Sequence, residues 1–120
     1  MRDLGALDVL INNADRKRAH LLFGDDGRLW GIDNALSFLP YPRQRTVLID
    51  LGGEALPLQA ADRVQSLASD RARRSALEAE LARLLEADEV VAFGERLDAL
   101  AAHPVFPVLD PWDGRPFEWW

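Results

Sequence analysis

The chain has no cysteine, one lysine among its 14 basic residues, one methionine and one tyrosine. Without cysteine neither a disulfide framework nor a thiolate metal site can be built. No apolar run approaches the roughly 18 residues a membrane span needs, and no charged-then-apolar leader is seen, so a cytoplasmic location without a transmembrane segment is expected. Positive charge is also scarce. Twenty acidic residues against 14 basic ones leave a net charge of −6. That argues against nucleic acid as a partner, because phosphate backbones are bound through basic surface. At 120 residues and 48% hydrophobic content the chain makes one domain, large enough for a core but small for a complete nucleotide-using enzyme.

What is present falls into three stretches, 1–58, 59–103 and 104–120. In the first, Leu4, Leu7, Leu10 and Ile11 lie at helical spacing, and Asn12-Asn13 offers a stop because Asn tolerates left-handed backbone. His20 to Gly24 and Arg28 to Asp33 are apolar runs around D-D-G, which predicts a β-hairpin because Asp and Gly accept the positive φ of tight turns. Pro40 and Pro42 break regularity, and R-T-V-L-I-D-L reads as a short strand or a first helical turn. The second stretch is helical, with helices over 62–68, 70–85 and 88–102. Ser69 or Asp70 serves as a cap, and Leu77, Leu81, Leu84 and Leu85 form one stripe, continued by Val90, Val91, Phe93, Leu97 and Leu100. The last two helices are expected to pack as an antiparallel hairpin. Arg71, Arg73 and Arg74 crowd a helix N-terminus, where the dipole disfavours cations, and so ask for an acidic neighbour or an outside anion. The third stretch holds four of the seven prolines and three of the four tryptophans. It should run extended over the surface, with Trp112 as an anchor and Trp119 and Trp120 as a docking or loose end.

The chemistry concentrates in N-N-A-D-R-K-R-A-H, residues 12–20, followed by the hairpin and by I-D at 32–33. Taken singly, Asp15 reads as a loop or capping aspartate, His20 as a hydrogen-bonded core histidine and Asp33 as a turn residue. Their joint spacing points elsewhere. A phosphotransfer site needs a carboxylate to take the acceptor's hydroxyl proton, a metal ligand one loop later and a metal carboxylate on the next hairpin.

Residues 12–38 resemble the phosphatidylinositol 3- and 4-kinase superfamily. The chain looks more closely like an actinobacterial family described as phosphatidylinositol 3- and 4-kinase-like, whose members read roughly N-N-A-D-R-K-G-G-H, V-D-H-G-x-x-F and L-R-T-V-L. This chain has N-N-A-D-R-K-R-A-H, I-D-N-A-L-S-F and Q-R-T-V-L, and the likeness extends to the Trp-rich tail. The resemblance implies an α+β fold, the C-terminal lobe of a kinase-like enzyme, mostly helical with a short β-hairpin. It casts Asp15 as catalytic base, Lys17 as a catalytic contact to the phosphate transferred from ATP, and His20 and Asp33 as ligands of Mg²⁺ or Mn²⁺. It further implies a phosphotransferase using ATP on a hydroxyl acceptor, inactive until an N-terminal lobe completes it. Arg18-Ala19 stands where the family has Gly-Gly, and Ala35 where it has Gly. The alternatives are a non-catalytic kinase-like binding or scaffold domain, and a plain helical interaction module. In the kinase reading, Leu21, Phe23 and Ile32 should form an uncovered apolar face, and Asp15, His20 and Asp33 should share one cleft.

Overall fold

A computed structural model describes residues 1–118. The elements run α1 (Arg2–Ile11), β1 (Leu21–Phe23), β2 (Leu29–Gly31), α2 (Leu58–Ser69), α3 (Arg71–Ala82) and α4 (Ala87–Ala102), with 3₁₀ turns at Arg18–His20 and Ile49–Leu51. The fold is α+β, as expected. Helix α1 stops where the sequence asks it to: Asn12 is left-handed, with φ 52°, and its N–H closes back on the carbonyls of Asp8 and Val9.

The two strands form an antiparallel hairpin in which Leu21 faces Gly31, Leu22 faces Trp30 and Phe23 faces Leu29. Its turn is closed by Gly24 N–H to Arg28 O at 2.8 Å, and Gly27 takes a φ of 77° that other residues adopt only with strain. Gly31 has a different reason to lack a side chain. A Cβ there would lie 2.7 Å from Leu4 Cδ1, so glycine lets the hairpin lie directly on α1. The segment read as strand or helical turn is some of each: Thr46 forms a single parallel bridge with Arg16, and the chain then enters the 3₁₀ turn at Ile49–Leu51.

The core lies between α1, α2 and α4. Ala6, Leu56, Ala61, Val64, Phe93, Leu97, Leu100 and Phe106 are buried together, with Leu77 and Leu81 against its edge. Three expectations need correcting here. Helix α3 ends at Ala82, and the turned chain leaves Leu84 off the stripe and 84% exposed. Helix α4 directs its buried face to α1 and α2 more than to α3, so Val91 is exposed. In the tail the anchor is Phe106; Trp112 is 88% exposed. Asp110 Oδ1 accepts the N–H groups of both Trp112 and Asp113, and the exposed turn so formed carries Trp112 away from the core. Trp119 and Trp120 lie outside the described residues.

The acidic neighbour that the arginine cluster asked for is present for one member. Arg74 Nη2 donates to Asp98 Oδ2 on α4 at 3.0 Å and its Nε to Glu78 Oε1 at 3.0 Å, while Asp70 caps α3 by accepting Arg73 N–H at 3.1 Å. Among the described residues no helix is long and apolar enough to cross a membrane.

Candidate functional site

A helix that ends in a left-handed residue and runs into a loop leaves many backbone groups without a ladder partner, and side chains must satisfy them. The two asparagines do this. Asn12 Nδ2 donates to the carbonyls of Leu39 and Tyr41 at 3.0 and 2.8 Å, and its Oδ1 accepts Arg43 N–H at 3.0 Å. Asn13 Nδ2 donates to Asp8 Oδ1 at 3.1 Å while its Oδ1 accepts Asp15 N–H at 3.0 Å.

Beneath them lies a buried ion pair. Arg16 and Asp8 are fully inaccessible, with Arg16 Nε 2.8 Å from Asp8 Oδ2 and Nη2 2.9 Å from Oδ1. The remaining nitrogen, Nη1, donates to Ile32 O at 2.9 Å, and Nη2 also reaches Asn34 Oδ1. All three guanidinium nitrogens are engaged, as a buried charge requires. Arg16 thereby grips the residues on both sides of Asp33, the position that adopts a φ of 54°. Left-handed backbone is costly for a residue with a Cβ unless the surroundings hold it, and Asp is among the residues that tolerate it.

The four residues singled out in the sequence are joined in one chain of contacts. Lys17 Nζ lies 3.3 Å from Asp15 Oδ2, both side chains partly buried. The Lys17 backbone N–H approaches His20 Nδ1 at 3.3 Å, and His20 Nε2 lies 3.5 Å from Asp33 Oδ2. His20 is buried and Asp33 mostly exposed, so the carboxylate faces solvent while the imidazole supports it from below. A ring nitrogen that accepts a hydrogen bond is unprotonated, which puts the single proton of a neutral imidazole on Nε2, facing Asp33. A cation held by His20 Nε2 would need the ring proton on Nδ1, and the contact from the Lys17 N–H, already at the long end at 3.3 Å, would be given up. The donor set thus offers Asp33 directly and His20 at that cost. Among the described residues no group of three or more His, Asp or Glu is arranged to hold a metal ion.

The departures from the glycine pattern carry no strain. Among the described non-glycine residues only Asn12, Asp33 and Phe38 have positive φ, so Arg18, Ala19 and Ala35 sit in backbone open to any side chain. Beside the site the hairpin exposes Leu22, Phe23, Trp30 and Ile32, with Phe23 at 70%. Of the three residues expected there, Phe23 and Ile32 are open, whereas Leu21 is half-buried because its face, opposite Gly31, turns towards Leu4. A separate pocket of about 480 Å³ lies between α4, the loop at Pro40–Gln44 and the tail, and its lining includes none of the four residues.

Asp8, Arg16 and Asn34 were not singled out in the sequence. Asp8 did carry a signal: it stands four residues after Leu4 and three before Ile11, a charge on the apolar stripe of α1, which requires a buried partner. Arg16 was hidden by its neighbours, since a basic residue between Asp15 and Lys17 reads as one more charge of the loop.

The fold and site together define a small α+β domain whose polar loop and hairpin are fixed by a buried Arg–Asp pair. No family model and no solved structure matches it. The chain is similar to Protein Rv2133c of Mycobacterium tuberculosis (strain ATCC 25618 / H37Rv), with 37% identity over 119 residues. The match covers 99% of the chain and 41% of the relative, so the chain spans about two fifths of the length of the curated protein it matches.

Proposed function

We propose that this domain is the C-terminal lobe of an ATP- and divalent-metal-dependent phosphotransferase of the phosphatidylinositol 3- and 4-kinase-like type, working with an N-terminal lobe. The observation that carries the reading is the linked series Asp15, Lys17, His20, Asp33 on one loop and one hairpin. Asp15 places a carboxyl group 3.3 Å from Lys17 Nζ, suited to take or orient a hydroxyl proton, with Lys17 placed to turn to a phosphate oxygen. Asp33, with His20 beneath it, would hold Mg²⁺ or Mn²⁺, which supplies charge neutralisation at the transferring phosphates. The exposed Phe23, Trp30 and Ile32 support a covering segment on the hairpin side, since large apolar side chains grouped on one edge mark a surface used for contact. The larger size of the relative is consistent with such a segment.

The test has two parts. Saturating Mn²⁺ or Mg²⁺ should stabilise the chain by roughly 1.4 kcal/mol at ten times Kd, and Asp33→Asn should abolish the effect. ATP turnover on a hydroxyl acceptor should be absent for the chain alone and appear when a segment matching the rest of the relative is joined to it. Asp15→Asn should then remove turnover and leave the melting curve intact. Metal binding without turnover in the correctly folded longer protein would instead make this a non-catalytic kinase-like binding domain.

A further inference from the structure

The pocket between α4, the Pro40–Gln44 loop and the tail is lined by charges that the protein balances among themselves. Arg96 and Glu95 are neighbours on α4, and the negative charge of Glu95 acts on the Arg96 guanidinium. That guanidinium is spent on the fold: Nε donates to Leu10 O at 2.8 Å, Nη1 donates to Leu39 O at 3.3 Å, and Nη2 is shut inside, out of a ligand's reach. Asp113 is held by Arg45 at 3.3 Å and Arg43 at 3.8 Å. Asp110 accepts two backbone N–H groups, which hold its carboxyl below the usual carboxylate range. Three carboxylates, Glu95, Asp110 and Asp113, thus stand against three guanidinium groups, Arg43, Arg45 and Arg96. The looser members, Glu95 and Arg43, are opposite in sign and exposed to solvent, where water screens them.

The rest of the wall is largely apolar, including Ala92, Ala99 and Leu109. Its loop side is held in place. Pro40 and Pro42 each fix a backbone φ, Asn12 binds the carbonyls of Leu39 and Tyr41 and the N–H of Arg43, and Arg96 binds Leu39 O again. A wall so fixed suits a ligand site that exists before the ligand arrives, and about 480 Å³ lies within the ~300–1,000 Å³ typical of small-molecule sites. Two polar side chains of the wall carry no charge and make no side-chain hydrogen bond among the described residues: the half-buried Gln44 carboxamide and the exposed Tyr41 hydroxyl. Both donate and accept.

We infer that this pocket binds a neutral ring compound with an amide-like donor–acceptor edge, the ring filling the space towards Ala92, Ala99 and Leu109 and the edge meeting the Gln44 carboxamide. A charged ligand would give up its hydration for a largely apolar wall that has no counter-charge to spare. A neutral amide gives up less, and Gln44 can answer both its N–H and its C=O. The site is independent of the phosphotransfer reading, although the two share scaffold: Leu39 O accepts from both Arg96 and Asn12, and Asn12 opens the N-N-A-D-R-K motif.

Benzamide, benzoate and benzylammonium, close in shape and differing in charge, are the probes, titrated into the ¹⁵N-labelled chain. Benzamide should saturably shift the amides of Tyr41, Arg43, Gln44 and residues 92–99. The anion and the cation should both bind roughly tenfold or more weakly, because each buries a charge without a partner. Ala99→Phe, at an exposed helix position in the pocket wall, should fill the space and abolish the shifts. Gln44→Leu removes a side chain that bonds to nothing else, so the fold should hold while benzamide weakens roughly two- to tenfold, the worth of one neutral hydrogen bond. Benzoate or benzylammonium binding as tightly as benzamide, shifts that lie elsewhere, no saturable response up to the solubility limit of benzamide, or unchanged benzamide binding by Ala99→Phe or Gln44→Leu would each overturn the inference.

Discussion

The two halves of this domain are held together by different forces. Every buried polar or charged residue among the described ones, Asp8, Asn12, Asn13, Arg16, His20 and Thr46, falls in the first 46 positions. From Leu56 onward the buried side chains are Leu56, Ala61, Val64, Ala92, Phe93, Leu97, Leu100 and Phe106, all apolar. The difference follows from backbone geometry. Helices α2 and α4 satisfy their own N–H and C=O groups and need only an apolar face to pack. The loops at 12–20 and 32–47 have little ladder, so their carbonyls and amides are met by Asn12, Asn13 and Arg16. Directional bonds of that kind fix positions to a fraction of an ångström, which is what a site needs, and they fail abruptly when one partner is lost.

The sharpest way to break the comparison is Arg16→Met. It leaves the Asp8 carboxylate buried without its counter-charge, with Asn13 still donating to Oδ1, and takes the Arg16 donor from the Ile32 carbonyl; it should cost about 3–5 kcal/mol by denaturant unfolding. Adding Asp8→Leu removes the stranded charge, so the double variant should recover part of that loss. A double variant as unstable as the single one would show that the grip on Ile32 and Asn34, not the ion pair, dominates. In either variant amide exchange at Ile32 and Val47 should rise before that of α4, because those N–H groups bond to His20 O and Arg16 O.

Leu97→Ala probes the other half. Leu97 is fully buried at the centre of the core, and its truncation should cost about 2–5 kcal/mol through lost burial and a residual cavity. The contrast lies in distribution rather than size. Removing a central apolar side chain should raise exchange across α1, α2 and α4 together, since all three pack on the same core. A local response limited to α4 would contradict the idea of one shared apolar core.

These two residues also mark what the sequence revealed and what it concealed. Leu97 is legible from periodicity, because α4 buries a face that recurs at helical spacing. The stop at Asn12, the D-D-G hairpin and the Asp70 cap are likewise local signals with local causes. Leu84 and Trp112 misled for a related reason: periodicity does not record that α3 ends at Ala82 or that Asp110 turns the tail outward. At the candidate site the motif residues were visible as a pattern, and the structure joins them in a series. The Asp8–Arg16 pair was not visible, because its partners lie on different elements and nothing in an eight-residue spacing says that both will be inaccessible. Arg96 is a longer-range case: its acceptors, Leu10 O and Leu39 O, are backbone atoms 86 and 57 residues away.

Helix α3 is the part of the apolar half that departs from the rule. It buries none of its own residues, and it is held to α4 by the Arg74–Asp98 pair as well as by Leu77 and Leu81. The hydrogen bond from Arg74 keeps the Asp98 carboxyl below its usual value. A carboxyl with a depressed folded pKa contributes stability that is present above its unfolded value, about 3.9, and is lost as pH falls through the folded one. Asp98→Asn should therefore be less stable than the wild type at pH 7, by less than either core variant because the pair is solvent-exposed, and the gap should close below about pH 4. Asp110, depressed by its own two backbone hydrogen bonds, keeps some acid sensitivity in the variant. Exchange at pH 7 should quicken in α3 and leave the loop at 12–20 untouched; quickening there as well would mean that the two halves are mechanically one.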